Sequence, residues 1–441
     1  MITTTKIRKI AFLSTYPPRE CGLATFTEDL LTEIDKLTWI RPSVIAVVDK
    51  DAYAKPHSNT QVKYKLNQHD RASYQLAALW ANDNVDLLVI EHEYGIFGGE
   101  CGEYILDLAR ELRIPFIVTT HTVLLEPSAK QRRVLRDLGD LSAKVVTMAE
   151  SSIAILENMY EIAAEKIVFI PHGVPDMQVK ARETLKEEYG LADKQVISSF
   201  GLISPAKGLE YGIEAVAKAA AEHPDLVYLI LGKTHPCVKD AMGETYRQSL
   251  IDLATSLGVQ DNIRFIDKYL SKEEVMTYLH LSDMYLTPYL SKEQAVSGTL
   301  AYAVGCGRVI ISTPYRYAEE MLGEGRGLLA EFKDADSIAS CIRIVLGDAK
   351  RKQAMEARTL AVGETMTWAK VAAQYAQLSK RIIEDEAKML REDTSRILRP
   401  SLTKVPERIA VAAQRVPKRN DAEVMMRDYP ALLSCKAMKS E

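Results

Sequence analysis

Several short stretches carry side chains suited to chemistry, and each follows an apolar run. In "FGLISPAKGLEYGIEAV", Gly201 closes one run and Lys207-Gly208 opens a helix-like segment. A lysine ammonium is a point cation for phosphate, and a helix start adds oriented N–H groups and the positive end of its dipole. The pairing suits phosphate binding over the plain reading of a surface lysine. The P-loop signature is missing, so nucleotide hydrolysis of that kind is not supported. In "YLSKEQAVSGTLAY", Glu293 and Gln294 offer an acid and an amide for hydroxyl groups, while amides near Ser297, Gly298 and Thr299 can approach a phosphate. The plain structural reading of that stretch is a strand-to-helix connection with Ser297 or Ser291 at the cap.

His121 ends "PFIVTTH". A neutral imidazole there has an acceptor nitrogen for a hydroxyl or for developing positive charge, although a lone histidine is as readily structural. His172, at the end of "KIVFIPH", is a second candidate and also sits at a presumed hinge. Glu93 follows "LLVIEH" and precedes a loop with glycines at 95, 98, 99 and 102. A carboxylate in that place accepts from sugar hydroxyls or simply ends a strand at a turn. Gly22 lies in "TYPPRECGLAT", with Arg19 and Glu20 expected to face a cleft. This loop lacks GxGxxG, so a dinucleotide cofactor gains little support.

These residues need elements to hold them. Short runs rich in Ile, Val and Phe, at 9–14, 43–48, 85–91, 115–121, 143–148 and 166–173, alternate with amphipathic segments. Buried parallel strands read as continuous apolar runs joined by helices, so the pattern is repeated βαβ. A polar, charged segment at 173–195 interrupts it and reads as an interdomain linker. The alternation restarts at 196–201, 226–232, 262–267, 283–289 and 308–314, and the chain then turns helical. Two successive α/β sheets follow from this. Such sheets bind ligands beyond the carboxyl ends of their strands, where the candidate residues fall.

Composition narrows the function classes. The chain has 441 residues, 47% of them hydrophobic and 26% charged, with a net charge of −4, which argues against nucleic acid as a partner. Six cysteines lack CxxC or Cys/His ligand spacing, so neither a disulfide framework nor a metal site is expected, and a cytoplasmic location fits. The N-terminal apolar run is too short for a secretion signal, and no run approaches a membrane span. Peripheral membrane contact stays compatible with the sequence.

The stretches "RECGLATFT", "EHEYGIFGGECGEY", "TTHTVL", "FIPHGV", "FGLISPAKGLE", "SGTLAYAVGCGRVIISTPY" and "WAKVAAQY" span residues from about 10 to about 380. Together they resemble glycosyltransferase family 4, retaining enzymes of the GT-B architecture, and its mannosyltransferase-like branch in particular. The resemblance implies an α/β protein of two Rossmann-like, doubly wound parallel-sheet domains facing across a cleft. Residues 1–180 then form an acceptor domain and 181–365 a donor domain, with a helix over 366–390 crossing back to the first. Residues 391–441 read as a helical or partly disordered extension. The resemblance also implies catalysis without an obligatory metal or cofactor. Lys207, with Gly201, Ser297 and Gly298, would hold the donor phosphate. His121 and Glu293 would act at the reacting sugar, while Gly22, Glu93, His172, Gln294 and Thr299 would meet donor sugar or acceptor. The partners implied are a nucleotide sugar or sugar phosphate and a saccharide acceptor.

Two departures stand out. The family commonly has an arginine directly after the glycine matched by Gly201, and here that residue is Leu202. A second family glutamate, which reads the ribose of the donor, falls on Ala301 or Tyr302 depending on register. Arg308 and Arg316 are the replacements considered for the lost cation. Three readings therefore compete: a transferase using a nucleotide sugar, a retaining phosphorylase using a sugar 1-phosphate, and a non-catalytic sugar-binding or scaffold protein.

Overall fold

The computed structural model describes residues 6–49, 57 and 59–397. Its apolar runs become two all-parallel sheets. The first contains β1 (Arg8–Ser14), β2 (Ile40–Val48), β3 (Val62–Asn67), β4 (Leu87–His92), β5 (Phe116–Thr120), β6 (Lys144–Thr147) and β7 (Ile167–Phe169), in the order β3-β2-β1-β4-β5-β6-β7. The second contains β8 (Gln195–Phe200), β9 (Leu226–Leu231), β10 (Ile263–Ile266), β11 (Met284–Thr287), β12 (Val309–Ser312) and β13 (Gly327–Leu329), in the order β10-β9-β8-β11-β12-β13. Strand order reverses beside β1 and beside β8. Phe12 of β1 pairs with Val44 on one side and Val89 on the other, and Ile197 of β8 pairs with Tyr228 and Met284. Such switch points open a crevice at the carboxyl ends.

Helices cover both faces of each sheet, which explains the continuous apolar runs. In β1, Ile10 and Phe12 enter one core cluster, while Ala11 and Leu13 enter the opposite one with Tyr74 and Ala77. The sequence pattern passes over β3 and β13. β3, "VKYKLN", is an edge strand in which only Leu66 is fully buried, and lysines on an edge discourage further pairing. β13 is the other sheet's edge and has only three residues.

The chain passes between the sheets twice, and the two passes are bonded together. Val174 N–H donates to Met366 O at 2.9 Å, and Trp368 N–H donates to Val174 O at 3.0 Å. Gly173 lies flat on Trp368, since a Cβ there would fall 2.0 Å from a ring carbon. The helix Trp368–Ile397 then returns to the first sheet, where Val371, Ala372 and Tyr375 join the Phe12 cluster. Both sheets belong to one compact unit that runs to Lys388. Beyond Ile397, the extension expected at 391–441 lies outside the described residues.

The linker segment contains its own helix, Arg182–Glu188, which is tied to the second sheet. Buried Asp283 accepts from Lys186 Nζ at 2.6 Å, Lys352 Nζ at 2.7 Å and the Val196 amide at 2.8 Å. Burial opposes ionisation of Asp283, but Lys352 and Lys186 outweigh it and hold its pKa below the usual value. Removing one partner from such a network costs about 3–5 kcal/mol, because the remaining charges stay buried.

Candidate active site

The carboxyl ends of the two sheets enclose a cavity of about 790 Å³. The first sheet contributes Cys21, Gly22, Thr25, Phe26 and Glu28 from the start of the helix Gly22–Ile34, with His172 from the segment after β7. The second contributes Gly201, Leu202 and Lys207 after β8, Lys233 after β9, Tyr269 after β10, and Gly298, Thr299 and Tyr302 from the helix Gly298–Gly305. Six of the residues expected at a site therefore share one cavity: Gly22, His172, Gly201, Lys207, Gly298 and Thr299.

Backbone geometry explains why two of these positions are glycine. Gly201 has φ +127° and Gly232 has φ +134°, values that L side chains rarely adopt. A Cβ on Gly232 would fall 2.0 Å from Gly201 O, so the exits of β8 and β9 lie in direct contact. Lys207 ends a short 3-10 turn, Pro205–Lys207, before the helix Leu209–Ala220. Its ammonium stands 3.8 Å from the centroid of the Tyr289 ring, a cation–π contact, and among the described residues no carboxylate pairs with it. The Tyr289 hydroxyl bonds Thr299 Oγ1 at 2.8 Å, and Thr299 Oγ1 lies 3.1 Å from Ser297 Oγ. Ser297 also caps the next helix by accepting from Leu300 N–H at 3.3 Å. The chain Lys207–Tyr289–Thr299–Ser297 thus fixes a cation beside a helix start, an arrangement suited to an oxygen anion.

His172 is buried, and burial pulls its pKa down to about 4. Its Nδ1 lies 2.7 Å from Gly173 O, and a carbonyl only accepts, so Nδ1 carries the proton and Nε2 is left as an acceptor. A Cβ on Gly298 would come within 3.0 Å of that Nε2. Phe26 packs edge-on to the His172 ring at 5.2 Å and edge-on to the His121 ring at 4.8 Å, so both imidazoles pack against one ring.

His121, Glu93, Glu293, Gln294 and Ser297 lie outside the cavity lining. His121 Nε2 is 2.9 Å from Glu91 Oε2, and Glu91 has no side-chain exposure. A carboxylate accepts, so Nε2–H is held toward Glu91 and Nδ1 remains for another partner. Glu93 accepts from the Thr122 hydroxyl. Glu293 Oε2 reaches the other sheet's loop and accepts from Leu125 N–H at 3.1 Å. Gln294 is satisfied locally, its Nε2 donating to Val296 O at 2.7 Å. Arg308 donates to three main-chain carbonyls, those of Cys306, His280 and Ser282, and Arg316 donates to Val123 O; neither lines the cavity.

Sequence reasoning passed over several lining residues. Lys233 follows β9 directly in "LVYLILGK", the strand-end signature that picked out His121, and could have been found the same way. Its Nζ pairs with Glu20 from the loop after β1, whereas Arg19, expected to face the cleft beside Glu20, donates to Gln68 Oε1 at 3.2 Å and does not line the cavity. Asp29 gives no local signal. It is buried, pairs with Lys272, and accepts from the Tyr302 hydroxyl at 2.8 Å. Burial raises its pKa against the pull of Lys272. Tyr302 thus occupies one register of the absent second glutamate and borrows a carboxylate from the opposite sheet. Among the described residues no cluster of His, Cys, Asp or Glu is arranged to hold a metal ion, and no helix is long and apolar enough to cross a membrane.

Residues 181–360 match the family model described as glycosyl transferases group 1. The chain is similar to the D-inositol 3-phosphate glycosyltransferase of Corynebacterium glutamicum, 25% identical over 67% of this chain and 72% of the relative. It is also similar to the GDP-mannose-dependent alpha-(1-6)-phosphatidylinositol monomannoside mannosyltransferase of Mycolicibacterium smegmatis, 24% identical over 77% of this chain and 89% of the relative. Among solved structures it matches Anabaena HepE in complex with UDP and glucose, with a TM-score of 0.69 at 16% identity, covering 85% of this chain and 100% of that one.

Proposed function

We propose, for a chain that is a GT-B glycosyltransferase of the family 4 type, that it moves a hexose, with mannose the first candidate, from a nucleotide-diphosphate sugar to a saccharide or glycoconjugate acceptor with retention of configuration. The observation that carries this reading is the Lys207 ammonium, free of any carboxylate among the described residues, in a cavity closed by both sheets. In the reaction the bond from the anomeric carbon to the phosphate oxygen breaks, a bond to the acceptor oxygen forms on the same face, and the acceptor hydroxyl gives its proton to the departing phosphate oxygen. Negative charge grows on the leaving phosphate, and a preplaced cation is worth most where charge develops. Lys207 supplies that cation. His172, neutral with Nε2 as an acceptor, serves a hydroxyl of donor or acceptor at the base of the cavity. His121 works from behind Phe26 with Glu91 fixing its tautomer, and Phe26 must shift for its Nδ1 to meet the sugar. Mannose is favoured because a relative named for GDP-mannose covers most of both chains.

The test is a thermal-shift and turnover screen with GDP-mannose, UDP-glucose, GDP, UDP and mannose 1-phosphate. Stabilisation by a nucleoside diphosphate that Lys207→Ala abolishes, with an α-linked product from an α-linked donor, supports the proposal. Stabilisation by mannose 1-phosphate alone replaces it with a retaining phosphorylase. Binding without turnover across the panel assigns a non-catalytic sugar-binding role.

A further inference from the structure

We propose that Lys233 is the second cation for the donor, holding one phosphate of a diphosphate while Lys207 holds the other, and that Glu20 occupies Lys233 until the donor arrives. This rests on the nucleotide-diphosphate reading above. A diphosphate brings more charge than one ammonium matches, and Leu202, directly after Gly201, adds none.

Three observations select Lys233. Its loop and the loop of Lys207 leave adjacent strands as one body. Gly201 and Gly232 touch, Ile203 N–H donates to Lys233 O at 2.9 Å, and Ile203 bridges to Thr234 beyond the strand ends. The distance between the two lysine main chains is therefore fixed by the sheet rather than by loop flexibility. Secondly, Lys272 is bound to buried Asp29, and Arg308 and Arg316 to main-chain carbonyls, while Lys268, in an exposed pair with Glu274, follows β10 and so lies one strand further from Lys207 than Lys233 does. Thirdly, the partner of Lys233 can be exchanged. Glu20 is 44% exposed on a loop of the opposite sheet, and an ion pair of that kind is worth about 1 kcal/mol or less. A phosphate with two charged oxygens in the cavity outbids it. The released Glu20 then faces solvent, so donor binding and the contact across the cleft at this point exclude each other.

Isothermal titration with GDP, UDP and their monophosphates, on the full chain, tests this. Lys233→Ala is expected to weaken diphosphate binding about tenfold while monophosphate affinity stays within about twofold. Lys233→Arg restores diphosphate binding, and Glu20→Gln tightens it about threefold by removing the competitor. Diphosphate affinity unchanged by Lys233→Ala, or an equal loss for both ligand classes, overturns the assignment of Lys233 and leaves the donor reading standing. A wild-type chain that binds neither diphosphate overturns both.

Discussion

Two buried histidines make the stability of this protein depend on pH in a way that one substitution can isolate. His172 and His92 have pKa values lowered to about 4 and about 3, with burial the main cause and His121 adding to it. The Phe26, Tyr302 and Trp368 rings surround His172, and neither ring nitrogen of His92 has a hydrogen-bond partner. In the unfolded chain each imidazole titrates near the ordinary value of about 6.5. Below that, the unfolded chain takes up a proton that the folded one refuses. The contribution is therefore whole above about pH 6.5 and is lost as pH falls toward the folded value. One proton corresponds to about 1.4 kcal/mol per pH unit, so between about pH 7 and about pH 5 each site removes about 2 kcal/mol. The perturbation is His172→Gln, which keeps a polar side chain but cannot titrate. Urea unfolding at the two pH values gives the acid-induced loss for each protein, and the carboxylates common to both cancel in the difference. The variant should lose about 2 kcal/mol less than the wild type, and His92→Phe should repeat that difference independently. Equal losses in wild type and His172→Gln would show that His172 titrates normally in the folded chain, and the buried-acceptor role given to it would fail.

Gly232→Ala is expected to cost about 3 kcal/mol or more, because a positive φ and a 2.0 Å approach to a main-chain oxygen must both be relieved. Gly22→Ala, where a Cβ meets nothing within 4 Å, should stay within about 0.5 kcal/mol in the same urea assay, and similar losses at the two sites would contradict the geometry. Asp283→Asn leaves Lys186 and Lys352 facing a neutral group and should destabilise by about 3–5 kcal/mol near neutral pH. Since the folded pKa of Asp283 is depressed, that contribution is present above the unfolded value and disappears as pH falls through the folded one, so the gap between wild type and variant should close in acid. A pH-independent gap refutes this. His121→Ala should lower kcat at saturating donor about 100-fold. By leaving buried Glu91 without its partner it should also destabilise the fold, so turnover is compared at a temperature where urea unfolding shows the variant folded. Glu91→Gln should lower kcat and shift its pH profile, and unchanged turnover in folded His121→Ala removes it from the chemistry.

The sequence by itself determined the layered architecture and the ends of the strands where function collects. Eleven apolar runs recur as strands with shifted ends, because a strand buried on both faces must be apolar along its length. Of the four edge strands, β7 and β10 were legible as apolar runs, whereas β3 escaped because lysines alternate through it and β13 because it has only three residues. Gly201 and His172 were legible for a related reason, since polar or glycine residues just after a buried run mark the open end of the sheet, and Lys207 and Gly298 because each opens the helix that follows such a run. Only the tertiary structure decided which cations are free and which are spent. Arg308 and Arg316 looked like spare charges in the sequence, yet they cap main-chain carbonyls, while Lys233 enters the cavity. Asp29 and Tyr302 are 273 positions apart and meet across the cleft. Strand-end position is a local property of the chain, whereas the partner of a charge depends on which distant segments the fold brings within hydrogen-bond reach.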